Sequence, residues 1–212
     1  MPIQLLIIGC EYAGSTTLAK AVISWATETR GAFLNVPDEY RIHDHFKFPK
    51  VSHPPEFSAE EHAQLMALSP RLKEMIQRHN VFYHLPHQGW ANDLVMIGLY
   101  FDDHIYGPLY FDYIHDLDPE DPIMQTRGQF ETWLINGAPD ILLVQVKASP
   151  SVIRKRMHEN PRIDGVLQDK DVEYVLRRFD DEFQSSNIRN KVTIDTTSVT
   201  IEESLAQLVE HL

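Results

Sequence analysis

Cysteine is nearly absent from this sequence. Cys10 stands alone, which excludes an internal disulfide framework and suits a reducing compartment. Long apolar runs are missing too: nothing approaches the ~18–20 residues needed to cross a bilayer, so no membrane span is expected. The N-terminus enters an apolar run almost at once, without a charged n-region or a cleavage site. A secretory signal is therefore not expected, and the cytoplasm is. Positive charge is scarce, with 19 Lys and Arg against 31 Asp and Glu and a net charge of -12. That balance disfavours general nucleic-acid binding, which depends on neutralising phosphates. A local basic pocket for one nucleotide remains compatible with it. Repeats and low-complexity linkers are also lacking, and 212 residues suffice for a full core. The expectation is a single domain spanning residues 1–212.

What is present begins at the amino end. Ile3–Ile8 reads as a buried strand, and Leu18, Ala21, Val22 and Trp25 carry the spacing of an amphipathic helix. Between them, Gly9 and Gly14 have the glycine spacing of a phosphate-binding loop, and Thr16 occupies its magnesium-binding hydroxyl position. Ser15 stands where that motif has its lysine. The amides of such a loop and the positive end of the following helix capture an anion without a lysine. The lysine's task is to hold the β- and γ-phosphates and offset the charge that shifts during transfer. Losing one well-placed contact of that kind costs on the order of 3–4 kcal/mol of transition-state stabilisation. Phosphate binding is thus expected at Gly9, Tyr12, Ala13, Gly14, Ser15, Thr16 and Thr17, and transfer requires another cation.

Strand and helix patterns then alternate, which predicts a mostly parallel sheet with helices on both faces. Ala32–Val36 reads as the second strand, followed by Asp38-Glu39-Tyr40-Arg41. Residues 42–57, rich in Pro, His and aromatics, read as a surface excursion. Ser58 with Glu61 forms a capping box for a helix bearing Leu65, Leu68, Leu72, Met75 and Ile76, which Pro70 kinks or splits. Leu94–Leu99 and Ile141–Val146 are core strands, and Phe130–Ile135 is a short helix. Ser149-Pro150 opens a helix carrying Arg154, Lys155 and Arg156. Another helix begins near Asp169, Val192–Ile194 is the last strand, and Thr200 with Glu203 caps a terminal helix.

Together these segments resemble the P-loop nucleoside and nucleotide kinases, especially the thymidylate kinase and deoxynucleoside kinase group. The resemblance rests on Gly9–Thr17 with Leu18-Ala19, on Ile105–Tyr110, on Pro139–Val144 continuing through Ala148-Ser149-Pro150 into a basic helix, and on Val192–Thr196. It implies a three-layer P-loop NTPase fold with a five-stranded, mostly parallel sheet. It implies a lid at roughly 154–170 and an acceptor side at roughly 42–93. It also implies ATP as phosphate donor, Mg2+ as metal, and a nucleoside or nucleotide as acceptor. Family members often dimerise through helices, so a homodimer is one assembly consistent with the resemblance. Aligned on Tyr106, the family's acidic residue and arginine at the end of the third strand fall on Ile97 and Gly98. That departure and Ser15 leave a second reading open: a catalytically impaired nucleotide-binding regulator or scaffold.

Asp38 and Glu39 follow the predicted second strand, where the carboxyl ends of strands border the ligand crevice. The resemblance makes one of them, Asp38 first, the base that accepts the acceptor hydroxyl's proton. Asp38, Asp102 or Asp103 could join Thr16 around magnesium through a bound water. Arg154 and Arg162 are the expected sources of the missing positive charge. Arg156, two residues from Arg154, cannot share its helix face and is assigned a solvated or core-capping place. Arg41 is a second route to compensation. His43-Asp44-His45 and Asp102-Asp103-His104 are dense in metal-binding types, but a zinc site needs four well-placed ligands. Tyr100 to Tyr113, with Trp90, could line a base pocket or pack the core.

Overall fold

A computed structural model describes residues 2–34, 36, 41–44, 57–87, 92–113, 122–162 and 165–212, with side chains left aside at 44 and 122–127. Asp38, Glu39, Tyr40, His45, Trp90 and the acidic stretch 116–121 lie outside the described residues.

The centre is a parallel sheet. Its strands are β1 (Gln4–Ile8), β2 (His43–Asp44), β3 (Leu94–Ile97), β4 (Leu142–Lys147) and β5 (Asn190–Asp195), in the order β2-β3-β1-β4-β5. β1 and β3 are wholly buried, and near-continuous apolar runs such as QLLII and LVMI suit strands covered on both faces. The register is unbroken across the middle: Leu5 pairs with Val95 on one side and with Leu142 on the other. Four strands run four to six residues, and β2 is a two-residue pairing of His43 and Asp44 with Met96 and Ile97 at the edge.

The predicted strand at Ala32–Val36 is not formed. The first helix, α1 (Ser15–Arg30), ends on Gly31 in the left-handed region, and Ala32 N–H reaches back to the Ala26 carbonyl at 3.2 Å. Phe33 is left-handed as well, with φ 59°. Two such residues turn the chain instead of extending it, and the Asp93 carboxylate holds the turn, accepting from Ile3 N–H at 2.8 Å and Phe33 N–H at 3.3 Å.

The helix predicted from Ser58 is split at Pro70 into α2 (Ala59–Met66) and α3 (Pro70–His84), and the Ser58–Glu61 capping box is formed. The buried stripe of α3 is not the apolar one. Lys73, Gln77 and Val81 face inward, whereas Leu72 and Met75 are exposed. After β3, Gly98 (φ 75°) and Leu99 (φ 53°) turn the chain into α4 (Tyr100–Tyr106) and a π-helical turn, Gly107–Phe111. Tyr100, Phe101, Tyr106, Phe111 and Tyr113 are all buried, so most of the aromatic run packs the core.

The remaining helices are α5 (Pro122–Gly137), α6 (Pro150–Glu159), α7 (Val172–Ser185, preceded by a 3-10 turn at Asp169–Asp171) and α8 (Ile201–Val209). α1 packs on α8 over one face of the sheet, and α7 packs on α4 and α6 over the other. The buried Glu131 carboxylate ties α5 to α4 and to the turn after α7. It accepts from Tyr100 Oη (3.0 Å), Ser186 Oγ (2.7 Å), Asn187 N (2.9 Å) and Asn187 Nδ2 (2.7 Å). Among the described residues no helix is long and apolar enough to cross a membrane.

Candidate functional site

Strand order places β1 between β3 and β4, so the chain changes direction across the sheet at the carboxyl end of β1, where open α/β sheets bind ligands. The segment 9–14 crosses that edge. Gly9 is required by contact: a Cβ there would lie 2.4 Å from the Val146 carbonyl oxygen of β4. Gly14, at φ 107°, is required by conformation, and as the residue before α1 it offers the helix no side-chain cap. Among the described residues no side-chain cap is formed at the start of this 16-residue helix.

This helix start opens onto a cleft of about 470 Å³, lined by residues 10–17, by Arg156, Asn160 and Arg162, and by Thr196 and 199–201 with Ser204. Ser15 is only 6% exposed, and its Oγ has no hydrogen-bond partner among the described residues. A buried hydroxyl without a partner at a helix start is a costly arrangement in isolation. It suits a site completed by an acceptor from outside the chain. Thr16 is half-buried and Thr17 exposed on the next positions.

Two loop side chains reach the chain segment after α6. The Glu11 carboxylate is buried and accepts N–H groups from Val166 at 3.1 Å and Leu167 at 3.0 Å. Tyr12, at φ 66°, accepts the Arg162 N–H on its hydroxyl at 3.2 Å. Tyr110 continues the series, accepting from Gln168 N at 3.2 Å and donating to Asp171 at 3.0 Å. The stretch assigned to the lid is thus stitched to the loop backbone-first. Removing the carboxylate in Glu11→Ala is expected to speed amide hydrogen exchange at Val166 and Leu167 at least tenfold, since a hydrogen bond to a charged group contributes about 1.5–3 kcal/mol. Unchanged protection at both amides in a residue-resolved exchange experiment would remove Glu11 from this role.

The structure reverses the expected placement of the lid arginines. Arg154 is not in the cleft: its guanidinium is held by Asp169 (2.8 Å) and Glu173 (2.6 Å) on the surface. Arg162 lines the cleft. Arg156, expected to be solvated or core-capping, turns inward and donates to the carbonyls of Tyr12 (2.9 Å) and Ala13 (3.2 Å), and to Thr196. Burial lowers its pKa, but a guanidinium stays charged under all ordinary conditions. Thr196 Oγ1 itself donates to Ala13 O at 2.7 Å.

Burial, and then the charge of Glu11, push the Cys10 thiol well above the usual thiol range, so it sits in the loop as a small apolar residue. The two neighbouring aspartates diverge. Asp102 is buried against Gly98, and its charge raises the pKa of Cys10 and of Tyr106. Asp103 turns away towards Tyr113, whose hydroxyl donates to it at 3.3 Å. Burial raises its pKa to about 8. Among the described residues no three His, Cys, Asp or Glu side chains cluster closely enough to hold a metal ion.

Three site features had weak signals in the sequence. Glu11 lies inside the loop motif itself, at a position where the motif accepts any residue. Thr196 ends β5, and the carboxyl ends of strands border the crevice. Arg156 was separable from Arg154 only as the other face of one helix.

No family model matches the chain, and no curated protein matches it in sequence. Solved structures do match. A thymidylate kinase from Candida albicans superposes with a TM-score of 0.58 at 16% identity, covering 99% of this chain and 90% of that one. A deoxyadenosine kinase from M. mycoides, solved with bound dATP, gives 0.58 at 12% identity, with 98% of both chains covered. The YorR protein of Bacillus subtilis, solved with phosphorylated GDP, gives 0.58 at 14% identity over 97% of this chain and 94% of that one. The likeness is one of fold: this chain has the three-layer α/β architecture of those kinases.

Proposed function

We propose that this protein binds a nucleoside triphosphate at residues 9–17 and transfers its γ-phosphoryl group to a nucleoside or nucleotide. The observation that carries the reading is the uncapped start of α1, with the unpartnered Ser15 Oγ beside it, facing a cleft that also holds Arg156 and Arg162. Backbone amides in that position take up an anion. In the transfer, the bond from the γ-phosphorus to the bridging oxygen breaks and a bond to the acceptor oxygen forms. The acceptor's proton passes to a carboxylate, for which Asp38 is the candidate and Glu39 the alternate.

The Thr16 hydroxyl, in the first turn of α1 at the cleft, would hold a magnesium ion, with Asp38 the candidate carboxylate acting through water. When bound, such an ion neutralises charge on the phosphates.

A second reading is favoured by Ser15, which brings no charge to the phosphates, and by Ile97-Gly98, where the resemblance calls for an acid and an arginine. In that reading the protein binds nucleotide as a regulator or scaffold and transfers nothing. Calorimetry with Mg·ATP, followed by phosphoryl transfer to a panel of nucleosides and nucleotides, separates the two. An enzyme is expected to lose turnover in Asp38→Asn while keeping its affinity for Mg·ATP. Ser15→Lys is expected to tighten Mg·ATP binding by roughly three- to tenfold, because a hydrogen bond to an ionised partner is about twice as strong as a neutral one. Binding without turnover across the panel would select the scaffold. No binding of any magnesium–nucleotide complex would end both readings.

A further inference from the structure

We propose that Arg156 is the cation of the phosphate loop, supplying from the carbonyl side of the loop the positive charge that Ser15 does not supply from within it. The inference rests on the nucleotide-binding reading above and assigns that site's electrostatics to one residue.

The geometry is specific. One guanidinium nitrogen of Arg156 donates to Tyr12 O at 2.9 Å, Ala13 O at 3.2 Å and Thr196 Oγ1 at 3.1 Å, and the other donates to Thr196 O at 2.8 Å. Every one of these acceptors is neutral. Three other arginines face carboxylates: Arg154 binds Asp169 and Glu173, Arg178 binds Glu182, and Arg78 binds Glu74. Among the described residues Arg156 makes no ion pair, and burial is what acts on its ionisation. A cation held only by neutral oxygens keeps its field undiminished, and in a half-buried cleft that field is screened less than at the surface.

The direction of the field follows from the peptide units involved. The Tyr12 carbonyl shares its amide plane with Ala13 N–H, and the Ala13 carbonyl shares its plane with Gly14 N–H. Ala13 N–H is used inside the loop, on Cys10 O at 2.9 Å. Gly14 lines the cleft directly before the helix start. A guanidinium bound to these carbonyls polarises the same peptides and makes their N–H groups stronger donors. It also fixes the loop in the shape that presents them. Arg156 therefore acts through the loop amides and is a positioning residue. Its fork lets one nitrogen hold the carbonyls of Tyr12 and Ala13 while the other holds that of Thr196. The ligand favoured by such a site is a polyphosphate, whose charge the permanent cation complements at any physiological pH.

The test uses the full-length protein, with Mg·ATP and inorganic tripolyphosphate as calorimetric probes, in wild type, Arg156→Gln, Arg156→Lys, and each combined with Ser15→Lys. Arg156→Gln is expected to weaken both probes at least about tenfold. Ser15→Lys should bring the Arg156→Gln protein back to within about threefold of wild type, a larger gain than it gives in the wild-type background, because the two charges serve one ligand and are not additive. Arg156→Lys, which keeps the charge and loses the fork, should fall between. Equal binding by Arg156→Gln and wild type overturns the proposal while leaving the nucleotide-binding reading intact. A loss that Ser15→Lys does not recover reduces Arg156 to a structural tie and also overturns it. Should Arg156→Gln fail to fold, Arg156→Lys decides: affinity retained in part supports the charge, and affinity abolished in a folded protein refutes it. A wild type that binds neither probe refutes the nucleotide-binding reading and this proposal with it.

Discussion

Asp103→Asn is expected to stabilise the protein at pH 8 by several kcal/mol and to leave its stability near pH 4 almost unchanged. Asp103 is buried on α4, and its surroundings offer little to an anion. The Tyr113 hydroxyl donates to it from 3.3 Å. The Gln77 amide beside it lowers its pKa, although among the described residues Gln77 Nε2 makes no well-formed hydrogen bond. Glu74 and Asp102 add negative charge around Tyr113. Loss of hydration dominates, and the carboxyl pKa rises from 3.8 to about 8. The sign follows directly. Below pH 3.8 both the folded and unfolded chains hold the proton, so the group is neutral in each. Between that value and about 8 only the unfolded chain releases it, and folding stability falls as pH rises. Above pH 8 the folded chain carries a buried carboxylate at a constant penalty. The full interval corresponds to on the order of 3–5 kcal/mol. An asparagine keeps the acceptor for Tyr113 and removes the titration. Urea unfolding of both proteins from pH 4 to pH 9 checks this, because the difference between them should grow through that range. A difference that stays flat would show that Asp103 is ionised in the native state.

Gly9→Ala should weaken nucleotide binding more than thirtyfold and lower the melting temperature by roughly 6–12 °C. The new methyl group would lie 2.4 Å from the Val146 carbonyl oxygen and 3.0 Å from Ser15 Oγ. The first is backbone of a central strand and cannot swing aside, so β4 or the loop must move. Overpacking of this kind costs about 3 kcal/mol, and in a chain of this size each kcal/mol shifts the transition by roughly 2–4 °C. A loop displaced from β4 no longer aims its amides at one point, and affinity should drop more than thirtyfold, or about 2 kcal/mol. Gly128→Ala is the control: its Cβ meets nothing within 4 Å in the middle of α5, and helix propensity makes it neutral or stabilising. Scanning calorimetry and nucleotide titration of the two variants test the contrast. Near-normal binding by Gly9→Ala would mean that the loop does not depend on its contact with β4.

The sheet was legible because its strands are continuous apolar runs, and the turn from β1 into α1 because its glycines mark it. Both signals are local. The second strand was misplaced for a local reason as well. Ala32–Val36 has the composition of a strand, but Gly31 and Phe33 take left-handed conformations and Asp93, sixty residues on, pins Phe33. The face of α3 was misread because Lys73 and Gln77 are buried while Leu72 and Met75 are not, and periodicity counts apolar residues wherever they point. The placements of Arg154 and Arg156 were exchanged because a sequence does not show what a guanidinium binds. Asp169 and Glu173 capture one, and the carbonyls of residues 12 and 13 capture the other. Glu11 was invisible because its contacts are backbone N–H groups some 155 positions away, and amides leave no mark in a sequence.

The tie between Glu11 and the amides of Val166 and Leu167 has a kinetic corollary. A substrate that approaches from the side of that strap must wait for two charge-assisted bonds to part, so the capture rate would be set by the frequency of opening instead of by diffusion. Stopped-flow traces would then level off as nucleotide concentration rises, with a plateau equal to the strap's own opening rate.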